Sequence, residues 1–114
     1  MEINIKNLED IKVVELIGDV DASTASGVQQ EIMPLAKSNS KILLDMTQVS
    51  YMSSAGLRML LSLYRQTAAQ EGKLVLIGLS EDLQDTMSVT GFLDFFTTGA
   101  TLEAGLAELK ESAR

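Results

Sequence analysis

An α/β fold, with a mixed and mostly parallel sheet of four or five strands covered by about four helices, is predicted by three features of the sequence. Short aliphatic and β-branched runs alternate with segments of helical period. Turn-prone stretches such as Gly18-Asp19 and Ser38-Asn39-Ser40 separate them, and no internal repeat or low-complexity linker breaks the order. With 114 residues the chain has the size of one domain with one core, taken to span 1–114.

Ile11, Val13, Val14, Leu16 and Ile17 form a run that stops at Gly18, so 11–17 reads as a largely buried strand. A shorter alternating piece, Ile3 and Ile5, pairs with it as a hairpin across Asn7 to Asp10. Beyond Asp21 the period changes: Ala25, Val28, Ile32 and Leu35 share a helical face, and Ser23 or Thr24 stands where a cap is needed. This predicts a helix over roughly 23–37. Pro34 conflicts with it, because proline has no N–H to donate and its ring meets the carbonyl four residues back; a kink or an early end is expected.

Lys41 to Met46 suits a central strand buried on both faces, with Asp45 near its carboxyl end. From Leu57 the apolar positions 57, 60, 61, 64 and 68 make one helical face, with Arg58, Ser62, Arg65 and Gln66 opposite, so Ser53 and Ser54 stand at the amino terminus of this helix. Gly72 is expected to end it. Leu74 to Ile77 then reads as a buried strand, and Ser80 as the cap of a short helix to Val89 with Glu81 and Asp82 in its first turn. A last strand is placed at Phe92 to Phe96, and Thr101 opens a final helix with Leu102, Leu106 and Leu109 on one face. The predicted order is β-β-α-β-α-β-α-β-α.

Composition narrows function. Apolar residues make up 46% and charged residues 22%, the balance of a chain that folds unaided. A net charge of −7, with nine scattered Lys and Arg residues, argues against nucleic-acid binding. The absence of cysteine and histidine removes disulfides, thiol nucleophiles, the usual zinc sites and every imidazole-based mechanism. The start Met1-Glu2-Ile3-Asn4-Ile5-Lys6 has no signal-peptide pattern and no apolar run approaches a membrane span; a cytoplasmic protein with no membrane partner is expected.

The segment Leu44-Asp45-Met46-Thr47-Gln48-Val49-Ser50-Tyr51-Met52-Ser53-Ser54-Ala55-Gly56-Leu57 packs a strand end, a polar loop and a helix start into one stretch. It resembles the signature of the STAS family as found in anti-sigma factor antagonists. There a strand ending Leu-Asp-Leu is followed by a short loop, an aromatic residue, Met or Ile, Asp-Ser-Ser or Asp-Ser-Thr, and Gly-Leu. Anchored on Gly56-Leu57, the family's phosphorylated serine falls on Ser54, and the glycine that lets its backbone turn closely on Gly56. Two positions depart from the pattern: Ser53 stands for the Asp and Ala55 for the second hydroxyl residue. Gly18-Asp19-Val20-Asp21 resembles the family's loop before its first helix, which makes Asp21 a kinase-contact residue by inheritance. Gly72-Lys73-Leu74 and Val89-Thr90-Gly91-Phe92 extend the likeness over nearly the whole chain.

The resemblance implies a phosphoprotein of a partner-switching pathway. Unphosphorylated, it would bind an anti-sigma factor that is also a serine kinase of histidine-kinase-like ATPase fold, and so free a sigma factor or other target. Phosphate on Ser54 would switch binding off, and a serine phosphatase would reset it. The partner-binding residues implied are Asp21, Ser53, Ser54, Ala55, Gly56 and Arg58. The residues themselves leave plainer roles open: capping for Ser53, Ser54 and Asp21, bracing of the next loop for Asp45, and a solvated helix position for Arg58. Met52 and Met59 read as core filling. An enzyme would need a general base beside Ser54, and no G-x-S-x-G or S-x-x-K motif supplies one, so no catalytic residue, metal or cofactor is assigned. The alternative within the fold is a non-catalytic scaffold subunit of a stress-sensing or transporter-associated complex, motivated by Ser53 and Ala55.

Overall fold

Strand β1 (Glu2–Leu8) turns back through Glu9-Asp10 onto β2 (Ile11–Ile17), pairing antiparallel from Glu2↔Ile17 to Leu8↔Ile11. The computed structural model describes residues 1–111 of the chain. From β2 onward every pairing is parallel: β2 with β3 (Lys41–Gln48), β3 with β4 (Lys73–Ile77), and β4 with β5 (Thr97–Gly99). The sheet order is β1-β2-β3-β4-β5, so each crossover steps the same way. Right-handed crossovers that all step one way put their helices on one face. That face carries α1 (Ala25–Ile32), α2 (Ser54–Ala69) and α3 (Glu81–Val89), while α4 (Leu102–Glu111) packs on the other, against β3, β4 and β5.

The core divides accordingly. Val14, Leu16, Ile42, Leu44, Met46, Leu74 and Leu76 point toward the three-helix side, and Ile11, Leu43, Val75 and Ile77 meet Leu109 on the other. This two-sided burial of β3 and β4 is why they read as continuous apolar runs. Gly105 lets α4 approach the sheet: a Cβ there would stand 2.6 Å from Ile77 Cγ2 and 2.8 Å from Leu43 Cδ1.

The first helix ends early, as Pro34 leads one to expect: it stops at Ile32 and a 3₁₀ turn follows at Met33–Leu35, where the missing donor of Pro34 costs nothing. Four other details differ from the sequence-based expectations. Helix α2 is rotated from the expected face: it buries Gly56, Leu57, Met59, Leu60, Leu63 and Thr67, while Leu61 and Tyr64 are half-buried and Ala68 is exposed. Thr67 tolerates burial because its hydroxyl donates to the Leu63 carbonyl at 2.7 Å. The last strand is Thr97–Gly99, not Phe92 to Phe96; Phe92–Phe95 form a 3₁₀ turn pinned by Tyr64, whose ring lies 5.8 Å from Phe95 and 5.6 Å from Phe96. On α4, Leu102 is exposed and the buried positions are Gly105 and Leu109.

The end of α2 also uses a different residue. Glu71, not Gly72, takes the left-handed conformation, at φ 59°. The N–H of Glu71 donates to Ala68 O at 3.0 Å and that of Gly72 to Thr67 O at 2.8 Å, the paired bonds of a Schellman ending. Gly72 is required for space, since a Cβ there would meet Ser40 O at 2.8 Å.

Candidate functional site

The site is built on two loops at the carboxyl ends of β2 and β3. In open α/β sheets ligands sit in a crevice where successive crossovers diverge to opposite sides. This sheet has no such point, because its strands are added in one direction. The two loops are instead joined by backbone bonds: Gly18 N–H to Gln48 O at 3.1 Å, Val20 N–H to Tyr51 O at 3.0 Å, and Ser53 N–H to Val20 O at 2.9 Å. Val20 and Met52 form an isolated parallel bridge, and the Ser50 hydroxyl donates to Asp19 Oδ1 at 3.1 Å. The segments holding Asp21 and Ser54, more than thirty positions apart in the chain, thus form one surface.

Gly56 makes that closure possible. A Cβ on it would stand 2.5 Å from Met52 Cγ and 2.7 Å from Val20 O. Both neighbours are core residues, with Val20 fully buried and Met52 4% exposed, so neither has room to retreat.

Ser53 is the N-cap of α2: its backbone is extended and its hydroxyl oxygen accepts from Gly56 N–H at 3.4 Å. The Asp of the antagonist signature would occupy the same cap, so this departure preserves the helix start and removes one charge. Ser54, the first helical residue, is exposed, and its hydroxyl has no hydrogen-bond partner among the described residues. The capping role therefore belongs to Ser53 and leaves Ser54 free. Ala55 is half-buried against the core, a position that does not call for a hydroxyl. Arg58 is exposed one turn beyond Ser54 and makes no ion pair among the described residues.

Asp21 is an organising residue of its loop. Its Oδ1 accepts from Ser23 N–H at 2.9 Å, Ser23 Oγ at 2.7 Å and Thr24 N–H at 3.2 Å, while its own N–H donates to Thr24 Oγ1 at 2.9 Å. These reciprocal bonds close the turn from Asp21 to Thr24 that leads into α1; Thr24 stands at the N-cap, as expected, with no side-chain capping bond to the helix. The Ser23 hydroxyl, then the Ser23 N–H and the Thr24 donors, hold its carboxyl below the usual carboxylate range. Asp45 follows the bracing role, its Oδ1 accepting from Thr47 N–H at 3.0 Å and Thr47 Oγ1 at 2.5 Å.

Tyr51 was not singled out from the sequence. The residue is 54% exposed, and its carbonyl ties the loop to Val20. The available signal was an aromatic residue in an otherwise polar loop. Among the described residues no cluster of three or more acidic side chains could hold a metal, and no helix is long and apolar enough to cross a membrane.

Comparison with known proteins agrees with this architecture. The Bacillus subtilis (strain 168) anti-sigma-B factor antagonist is 28% identical over 106 residues, covering 93% of this chain and 97% of that protein. The crystal structure of an anti-sigma factor antagonist from Mycobacterium paratuberculosis superposes with a TM-score of 0.85 at 20% identity, covering 96% of this chain and 93% of that one. The phosphorylated form of the Bacillus cell fate determinant SpoIIAA superposes with a TM-score of 0.71 at 18% identity, covering 94% and 98%. A sequence model described as the STAS domain matches residues 2–105, and with that match over most of its length the chain belongs to the STAS domain family.

Proposed function

We propose that this protein is a cytoplasmic, non-enzymatic anti-sigma factor antagonist that works by partner switching. With Ser54 unmodified it binds an anti-sigma factor that is also a serine kinase of histidine-kinase-like ATPase fold, freeing the sigma factor or other target. Phosphate on Ser54 ends that binding, and a serine phosphatase restores it. The observation that carries this reading is the exposed, unpartnered Ser54 hydroxyl at the start of α2, in a chain whose relatives are named as antagonists. That SpoIIAA has been solved in a phosphorylated form gives the reading a precedent within the fold.

The physical consequences are local. A phosphate at the first helical position meets the open backbone donors and the positive end of the helix dipole, so the fold survives modification. It adds roughly −1.5 to −2 charges beside Asp19 and Asp21, which lie on either side of Val20. A surface that docks when that loop carries only two carboxylates is then opposed by charge and bulk together. Asp21, Ser53, Ala55, Gly56 and Arg58 form the proposed contact surface around Ser54, with Gly56 acting through backbone closure and not through direct touch.

Ser53 and Ala55 motivate the second reading, a scaffold subunit of a stress-sensing or transporter-associated complex. Both residues keep the helix start intact, which favours the switch. The deciding experiment is incubation with ATP and the candidate serine kinase, with the site located by peptide mass spectrometry and Ser54→Ala as control. Phosphate on Ser54 alone, with kinase binding weakened by Ser54→Asp, is expected. No modification by any such kinase, together with stable co-purification in a large assembly, establishes the scaffold instead.

A further inference from the structure

We propose that the open edge of β1 pairs with β1 of a second copy of this chain, antiparallel about a two-fold axis at Asn4, so that two sheets become one. The proposal does not depend on the reading of Ser54. Strand β1 is the edge of the sheet, and all seven of its residues pair with β2 in unbroken register. It contains no proline and no bulge, two of the devices that blunt an exposed edge.

The two-residue turn makes Leu8 and Ile11 the closing hydrogen-bonded pair. Alternation then commits the backbone groups of Lys6, Asn4 and Glu2 to β2 and turns those of Ile3, Ile5 and Asn7 to the open side. A two-fold axis at Asn4 sets Ile3 against Ile5 of the second copy, so residues with free backbone groups face each other.

The side chains select the same register. Glu2, Asn4 and Lys6 lie on one face of β1, and about this axis each Glu2 stands opposite Lys6 of the second copy. Among the described residues Lys6 has no ion pair within its own chain. Moving the axis to Ile5 opposes Glu2 to Leu8, and moving it to Ile3 opposes Glu2 to Asn4, so only the Asn4 axis matches both charges. A lysine on an edge normally discourages pairing; here it restricts pairing to one partner and one register.

The other face of β1 adds apolar contact. Ile5 is 40% exposed, and Ile3 beside it borders a groove between β1 and α1 lined also by Thr24, Gly27, Val28 and Glu31. Nothing lies within 4 Å of where a Cβ on Gly27 would be. Ile5 of the second copy, opposite Ile3, comes to the mouth of that groove and covers apolar surface that is otherwise wet.

The test uses the full chain, which contains no cysteine of its own. Directly opposed, non-hydrogen-bonded residues have Cα atoms about 4.5 Å apart, within disulfide reach. Mild oxidation is expected to cross-link Asn4→Cys into a dimer and to leave Ile5→Cys monomeric. Sedimentation of the unmodified chain should show a concentration-dependent dimer. Glu2→Lys should weaken it about tenfold by creating two like-charged pairs, and adding Lys6→Glu should restore it. Glu2 and Lys6 are exposed, so circular dichroism should show these variants folded. A monomer at all concentrations, a dimer indifferent to Glu2→Lys, or cross-linking through Ile5→Cys in place of Asn4→Cys overturns the proposal.

Discussion

The carbonyl oxygen of Val20 faces Gly56 so closely that a Cβ on the glycine would lie 2.7 Å from it. The same carbonyl accepts the Ser53 N–H, so the backbone group that ties the β2 loop to the start of α2 is the one that leaves no room for a side chain at Gly56. Gly56→Ala must push these segments apart. The expected loss is about 1–3 kcal/mol, seen as a lower denaturant midpoint at unchanged slope. If Ser54 is the switch, its phosphorylation rate should fall as well, because the surface no longer closes.

The cap of α2 is tested by two substitutions at Ser53. Ser53→Ala removes the oxygen that accepts from Gly56 N–H and should cost about 0.5–1 kcal/mol, the lower part of the usual range because the bond is long at 3.4 Å. Ser53→Asp keeps an acceptor and adds a charge favourable to the helix dipole, so it should raise the melting temperature above that of the parent chain. A stability unchanged by Ser53→Ala would show that the hydroxyl does not cap.

Asp21 makes stability depend on pH in a defined direction. Hydrogen bonds from Ser23, then Thr24, lower its folded-state value below the ordinary 3.8. The folded state therefore binds protons less readily than the unfolded chain, and this contribution is present above that ordinary value and is lost as pH falls through the lowered one. Asp10 acts in the same direction, its carboxyl held below the ordinary value by the hydrogen bond from Lys41 Nζ at 3.0 Å. Denaturant midpoints measured from neutral pH down to the acid range should fall less steeply for Asp21→Asn than for the parent, with the Asp10 part retained.

At the end of α2, Glu71 holds a left-handed conformation that costs a residue with a side chain roughly 1 kcal/mol or more relative to glycine. Glu71→Gly should stabilise the protein by about 1 kcal/mol while leaving the sheet unchanged. Gly72→Ala should do the opposite, since its Cβ has no space beside Ser40 and Thr67. Thermal unfolding of the two variants separates conformational strain from crowding at adjacent positions.

Local chemistry made much of this fold legible. Strand β2 begins and ends where its aliphatic run does, at Ile11 and Ile17, and α3 starts after the expected Ser80 cap, whose hydroxyl accepts from Leu83 N–H at 3.1 Å. The face of α2 was not legible, because apolar residues surround it: Leu57, Met59, Leu60, Leu61, Leu63 and Tyr64 satisfy more than one stripe. Packing against α1 and β4 chose the side with Gly56, Met59 and Leu63. Strand β5 is hidden from sequence for a related reason. The aromatic residues of Phe92–Phe96 suit a strand on propensity, yet Tyr64 draws Phe95 and Phe96 into a turn, leaving the weaker Thr97–Gly99 to pair with β4.

The sequence alone determined the α/β order, the parallel central strands and the position of Ser54 at a helix start, since apolar period and capping chemistry act over a few neighbouring residues. Tertiary structure decided that Asp21 and Ser54 share a surface, that Ser53 caps and thereby leaves Ser54 free, and that Gly56 must be glycine. Each of these depends on Val20 meeting Met52, Ser53 and Gly56 across two loops distant in the chain, a contact that no local pattern encodes.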